Sequence, residues 1–264
     1  MALDGGAKPL LLAVDVGNTN TVVGVFRDDE LVADWRLATD AHTMPDEYAV
    51  LIAGLLSFQG LAMGDIKAAI IGSGVPKVTA NFQEMLEKYA KLKPLVVGHG
   101  IETGVRVVIE NPTQVGADRI ANSLAAYRLY GGPAIVVDLG TATTFDVVSS
   151  RGEFIGGVIA PGMLTSVEAL ARFTAKLPRV EMVRPPRVMG TDTLSAMQSG
   201  TILGHAAMVE GMLRRLLEEM EGAPHIIATG GFCEVIANEV SLVHTVDKNL
   251  TLKGLQIMYD LNAK

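Results

Sequence analysis

The sequence predicts an α/β fold built twice, with a site between the two halves. Two strand–turn–strand segments share one pattern. VDVGNTNTVVGV (14–25) and VDLGTATTFDVV (137–148) each run from an apolar strand through an aspartate, a spacer and a glycine into small polar residues and a second apolar strand. Asp15 and Asp138 stand about half of the 264-residue chain apart, so the period is that of a duplicated domain and not of a solenoid. Helical and strand patterns also alternate along each half, with strand pairs joined by tight turns at its start.

The elements follow in order. PLLLAVDVG and TVVGVFRDDELVADWRLA read as strands, with a hairpin turn at RDDE (27–30). TMPDEYAVLIAGLLSFQG has helical spacing, with Tyr48, Leu51, Ile52, Leu55 and Leu56 on one face, Pro45 at its start and Gly60 at its end. IKAAIIGSGVP is a strand ending in a glycine-rich turn, KVTANFQEMLEKYA an amphipathic helix and PLVVG a short strand. VGADRIANSLAAYRLYGG is a helix with Ile120, Leu124 and Tyr127 on one face, stopped by Gly131, Gly132 and Pro133. AIVVDLG and TFDVVSS are strands, and GGVIAPGMLTSVEALARFTAKLP runs strand, turn, helix. A long helical region (193–220), a strand in HIIATGGF and a closing helix in LTLKGLQIMYDL complete the chain. The domains expected are a flexible leader (1–8), a first half (9–115) and a second half (116–264), whose last helix (about 250–264) is able to pack back on the first.

Composition excludes several classes. With 49% hydrophobic and 19% charged residues, the chain folds. Its net charge is −7 and its Lys and Arg residues are scattered singly, which leaves no basic patch to neutralise a phosphate backbone; no nucleic-acid partner is expected. One cysteine, Cys233, allows no intrachain disulfide and fits a reducing, cytoplasmic setting. No apolar run reaches the roughly 18 residues of a membrane span, and none suits a signal-peptide core.

The turns carry the chemistry. A glycine after a strand lets backbone approach a ligand, and successive N–H groups there form an anion-binding concavity. Thr19, Thr141, Asn18 and Asn20 add side-chain donors suited to phosphate oxygens. Asp15 and Asp138 would repel phosphate unless a cation lies between, and Mg²⁺ uses one or two carboxylates together with substrate phosphates. Each aspartate alone also fits a plain turn-initiating role. Asp118, in NPTQVGADRIAN, reads as a helix N-cap or, beside Arg119 and close to Gly116, as a base with an anchor for an anionic substrate. ATGGF (228–232) places backbone donors at a strand end and could hold a base or ribose. No Walker-type or dinucleotide-binding glycine motif is present. The histidines at 42, 99, 205, 225 and 244 lack metal-ligand spacing, and Trp35 reads as core.

Together these motifs resemble the type III pantothenate kinases, of the superfamily of acetate and sugar kinases, heat-shock ATPases and actin. The resemblance rests on DVGNTNTVVGVF, ENPTQVGADRIAN, VDLGTATTFDVV, GGVIAPGM, AKLPRVE, GTDTLSAMQSG, ATGGF and LTLKGL, in the family's order. It implies duplicated ribonuclease H-like (actin-like ATPase) domains with the active site in the cleft between them. It implies transfer of the ATP γ-phosphoryl group to the 4′-hydroxyl of pantothenate, the first step toward coenzyme A. Asp118 would be the base, with Gly116, Ala117 and Arg119 lining the pantothenate site and Thr193 reaching it from the neighbouring subunit of a homodimer. Asp15, Val16, Gly17, Asn18, Thr19, Asn20, Thr21, Val22 and Thr141 would hold ATP, with Asp15 on Mg²⁺ through water. Asp138 matches the family's monovalent cation ligand (K⁺ or NH₄⁺), where the turn chemistry alone suggests Mg²⁺. Two departures stand out: Ile109 replaces an aromatic residue of many members, and GSGVP (72–76) replaces SSVVP, suggesting a looser turn. The alternatives are a superfamily kinase for another small acid or sugar, a catalytically weak or inactive regulator, and a phosphohydrolase.

Overall fold

The computed structural model describes residues 9–263; the leader expected at 1–8 lies outside them. The described chain forms two compact units, one of residues 9–104, 113–125 and 251–263, the other of 105–112 and 126–250.

In the first unit β1 (Leu10–Val16), β2 (Asn20–Arg27) and β3 (Glu30–Ala38) form an antiparallel meander. β4 (Ile66–Ser73) and β5 (Leu95–Val96) add in parallel on the other side of β1, giving the order β3-β2-β1-β4-β5. α1 (Pro45–Phe58) connects β3 to β4, and α2 (Pro76–Met85), extended by a π-turn over Leu86–Ala90, connects β4 to β5. Both helices start on proline, whose fixed φ suits the first turn and whose missing N–H would find no partner there anyway. Leu10, Leu12, Val14 and Val16 of β1 join Tyr48, Ile52 and Leu56 of α1 and Phe82 and Met85 of α2 in one core. The buried stripe of α1 is narrower than its spacing suggests. Tyr48, Ile52 and Leu56 are buried while Leu51 is 46% exposed, because Tyr48 turns toward Phe82 (ring centroids 4.3 Å apart) and centres the contact on one i, i+4 row.

After β5 the chain passes through α3 (Ala117–Tyr130) to the second sheet, which repeats the first. β6 (Ala134–Leu139), β7 (Ala142–Val148) and β8 (Phe154–Pro161) form the meander; β9 (His225–Thr229) and β10 (Thr245–Val246) add in parallel, giving β10-β9-β6-β7-β8. α4 (Met163–Phe173) and α5 (Thr193–Glu219) take the place of α1, and α6 (Cys233–Ala237) that of α2. Ile135, Val137 and Leu139 of β6 pack with Val209 and Leu213 of α5 and with Cys233 of α6. The chain closes with α7 (Leu250–Asn262), so each half runs three strands, helix, strand, helix, strand, helix.

Residues alternate across a strand, so Leu11, Ala13 and Asp15 of β1 face away from the α1–α2 core. On that side α7 lays its leucines onto bare backbone: a Cβ at Gly24 would come within 2.8 Å of Leu252, and one at Gly72 within 2.9 Å of Leu255. Gly72 is thus a packed position of β4 and not a loosened turn. α7 also meets α3 backbone to backbone, because a Cβ at Gly254 would collide with the Ala121 carbonyl. Residues 113–125 group with the first unit and 105–112 with the second.

Gly254→Ala should therefore cost about 1–3 kcal/mol by overpacking. Thermal unfolding checks this against Gly54→Ala in α1, where a Cβ meets nothing within 4 Å; that change should be neutral or stabilise by about 0.5–1 kcal/mol.

Candidate active site

Asp15 is the penultimate residue of β1, paired with Val22 on β2 and Gly72 on β4. The turn after it closes through the Gly17 N–H, which donates to the Asn20 carbonyl at 3.0 Å. Asn18 and Thr19 are exposed, and Gly17 and Asn20 half-buried. The side chains of Val16 and Thr21 turn inward. Val16 lies in the core, and Thr21 is fully buried with its hydroxyl 2.8 Å from that of Thr39. Val22 is half-buried. The accessible part of the turn is Gly17–Asn20.

Gly72, beside Asp15, has no side chain, and a Cβ there would lie 3.7 Å from the Ala117 Cβ. The start of α3 therefore comes down over the carboxyl end of β1 and β4 and carries Asp118 with it. Asp118 is exposed in the first helical turn, where negative charge is favourable. It does not occupy the N-cap position. Gly116 precedes the helix and its carbonyl accepts the Ile120 N–H at 3.1 Å, while the Asp118 carboxylate accepts the N–H of Arg119 at 2.9 Å. A Cβ at Gly116 would collide with that carboxylate, so the glycine makes room for it. The structure thus brings Asp15, Gly116, Ala117, Asp118 and Arg119 together in one unit.

The second unit repeats the turn. Asp138, penultimate in β6, pairs with Thr144 on β7 and Thr229 on β9, and the Gly140 N–H donates to the Ala142 carbonyl at 3.1 Å. Thr141 is exposed. The ATGGF turn lies against Asp138: at Gly230 (φ +88°) a Cβ would fall 2.5 Å from the Asp138 Oδ1 and 2.7 Å from the Leu139 backbone. Beside it the hydroxyl of Thr229, 1% exposed, has no hydrogen-bond partner among the described residues. Thr193 is exposed at the first position of α5, behind Asp192, whose side chain accepts the Ser195 N–H at 2.8 Å. That bond holds the Asp192 carboxyl below its ordinary range.

Sequence reasoning missed the residues that hold these turns in place. Thr39, just after β3, donates its N–H to the Thr19 carbonyl at 2.9 Å; Gly162, just after β8, donates its N–H to the Thr141 carbonyl at 3.1 Å. Their common place after the third strand of each half is the signal that superposing the repeats would have exposed.

Among the described residues no three His, Cys, Asp or Glu side chains form a metal-binding group, and no helix is long and apolar enough to cross a membrane. An open cavity of about 270 Å³ lies in the second unit between the end of β8, α4 and α5. His205 lines it and shares a hydrogen bond of 2.9 Å with the buried Thr143.

Two sheets of this order, each with its helices and its aspartate turn, define the actin-like ATPase class of fold. Solved structures agree at the level of fold. A Baf family protein from Campylobacter jejuni, described as a transcriptional activator, superposes with TM-score 0.59 at 20% identity, covering 96% of this chain and 98% of that one. Component A of (R)-2-hydroxyglutaryl-CoA dehydratase from Acidaminococcus fermentans superposes with TM-score 0.58 at 15% identity, covering 97% and 100%. The family model of type III pantothenate kinase matches residues 11–215. A type III pantothenate kinase of Bacillus cytotoxicus is 48% identical over 254 residues, covering 96% of this chain and 97% of that protein. The chain belongs to the type III pantothenate kinase family.

Burial pushes His205 below the ordinary imidazole value of 6.5, so the unfolded chain takes up this proton first. The stability tied to the neutral ring is fully present above that pH and declines as pH falls below it. The drop in melting temperature between pH 7.5 and 5.5 should shrink in His205→Gln; an unchanged drop would show that other groups set it.

Proposed function

We propose that the chain transfers the γ-phosphoryl group of ATP to the 4′-hydroxyl of pantothenate, forming 4′-phosphopantothenate for coenzyme A synthesis. The observation that carries this, in a member of this family, is the placement of Asp118 over the carboxyl end of β1, beside the Asp15 turn.

Phosphoryl transfer depends on positioning and on charge stabilisation. An alcohol holds its proton tightly at neutral pH, so Asp118 accepts it as the new O–P bond forms. Arg119 anchors the pantothenate carboxylate, and Gly116 and Ala117 leave room for the substrate backbone. The N–H groups of Asn18–Asn20 and the side chains of Asn18, Thr19 and Asn20, with the Thr141 hydroxyl, take phosphate oxygens. Val16, Thr21 and Val22 shape the turn from beneath. The oxygen donors fit the two cations. Asp15, one carboxylate at a phosphate turn, suits Mg²⁺ held through water and phosphate oxygens, which supplies neutralisation of charge on the transferring group. Asp138, with the orphan Thr229 hydroxyl beside it and the Gly230 backbone packed against its carboxylate, suits K⁺ or NH₄⁺. Thr193, exposed at the start of α5, reaches the pantothenate site of the neighbouring subunit in a homodimer. The setting is the cytoplasm, with neither nucleic acid nor membrane as partner.

Asp118→Asn should keep the wild-type melting temperature and lose about 10²–10⁴-fold in kcat, the usual worth of a general base. A variant turning over at nearly the wild-type rate would reduce Asp118 to a residue of helix initiation. Heterodimers of Asp118→Asn and Thr193→Ala subunits carry one intact site if the site is shared, and should recover activity that neither homodimer has. Confirmed heterodimers without activity would remove Thr193 from the site.

A further inference from the structure

The two phosphate turns are braced by hydroxyl groups that none of the motifs includes. In the first unit Thr39 makes three contacts with one turn. Its N–H donates to the Thr19 carbonyl at 2.9 Å, its hydroxyl donates to the Gly17 carbonyl at 2.8 Å, and its hydroxyl oxygen lies 2.8 Å from that of Thr21. The single Thr39 hydroxyl proton goes to Gly17, so the Thr21 hydroxyl is the donor to Thr39. In the second unit the Gly162 N–H donates to the Thr141 carbonyl at 3.1 Å, and Thr165, in the first turn of α4, donates its hydroxyl to the same carbonyl at 2.6 Å. A Cβ at Gly162 would collide with the Gly140 carbonyl, so α4 begins hard against the turn. The chain arriving from the third strand therefore ties down the turn that follows the first strand, once in each half and with different residues.

We infer that Thr39 and Thr165 are positioning residues for ATP. Thr39 ties down the Gly17 and Thr19 carbonyls and Thr165 the Thr141 carbonyl; apart from the Gly17 and Gly140 N–H groups, which bond within their turns, this leaves the turn N–H groups for the ligand side. A phosphate repels carbonyl oxygen and is attracted by N–H, so turning one peptide unit replaces an attraction with a repulsion. A rigid turn is needed because the residues that bear on phosphate here, Gly17–Asn20, lie between strands and have little packing of their own. Neither threonine touches the reacting atoms in this scheme. Their effect belongs to nucleotide binding, and it rests on the kinase reading above.

Thr39→Val keeps the shape and removes the hydroxyl; Thr39→Ser keeps the hydroxyl. Thr165→Val and Thr165→Ser repeat the pair at an exposed position where folding is not at stake. The Val variants should raise the KM for ATP about tenfold, equivalent to about 1.4 kcal/mol, with the KM for pantothenate within about twofold of wild type, an effect on binding below the scale of one decade. The Ser variants should restore it. Val variants with unchanged KM for ATP, in an enzyme whose wild type turns over, would overturn the inference. So would a rise in both KM values together, which marks general loosening. Amide hydrogen exchange over residues 17–21 and 140–142 decides the matter apart from turnover. Faster exchange confined to the turn whose threonine is replaced supports the brace, and unchanged exchange overturns it. A wild type without pantothenate-dependent turnover would instead count against the kinase reading and leave the exchange result standing.

Discussion

A carboxylate one residue before the end of the central strand is the constraint on which each unit depends. β1 and β6 are the strands where the antiparallel meander meets the parallel addition, so their carboxyl ends open where the chain departs in two directions. Ligands of open α/β sheets bind at such points. Placing an aspartate beside backbone donors there sets two opposite charges to work together: the N–H groups attract phosphate and the carboxylate repels it. In the proposed reaction such an arrangement calls for cations at the carboxylates and for turns stiff enough that donors and carboxylate keep their places.

The two copies solve this differently. In the first unit the neighbour of Asp15 on β4 is Gly72, and the missing side chain admits the start of α3 with Asp118. In the second unit the neighbour of Asp138 is Thr229, followed by Gly230 pressed against the carboxylate. One duplicated sheet thus carries a helix start with a carboxylate in one half and a threonine hydroxyl with a packed glycine in the other. The difference arises from a single strand position, glycine in one copy and threonine in the other. α7 completes the first unit, since its leucines fill the space over Gly24 and Gly72 and its Gly254 fixes the height of α3.

Much of this was legible in the sequence because its cause is local. Apolar runs with turn residues located the long strands, and Pro45 and Gly131 marked helix ends, while Pro76, read as part of a turn, opens α2. The repeated aspartate–glycine turns gave the duplication, and the two sheet orders match it. What stayed hidden depends on tertiary contact. Residues 113–125 group with the first unit, where Ala121 meets Gly254, far apart in the chain. Thr21 stands in a polar run, and only the strand alternation of the folded sheet shows its side chain turned inward onto Thr39. Asp118 sits two residues after the glycine at the N-cap, so it lies inside the first helical turn and does not cap it. β10 and α6 span two and five residues, too few to leave a period. Thr39 belongs to no motif, and only comparison of the two halves brings it forward.

The most direct measurement is mass spectrometry of the products formed by the purified protein from ATP, Mg²⁺ and pantothenate, in K⁺ and separately in Na⁺, with ADP followed in parallel. The account predicts 4′-phosphopantothenate and ADP in equal amounts, formed in K⁺ and far more slowly in Na⁺. ADP formed equally without pantothenate would contradict it and indicate hydrolysis or another acceptor. No product from folded, dimeric protein in any mixture would also contradict it and favour a regulatory role for the same fold.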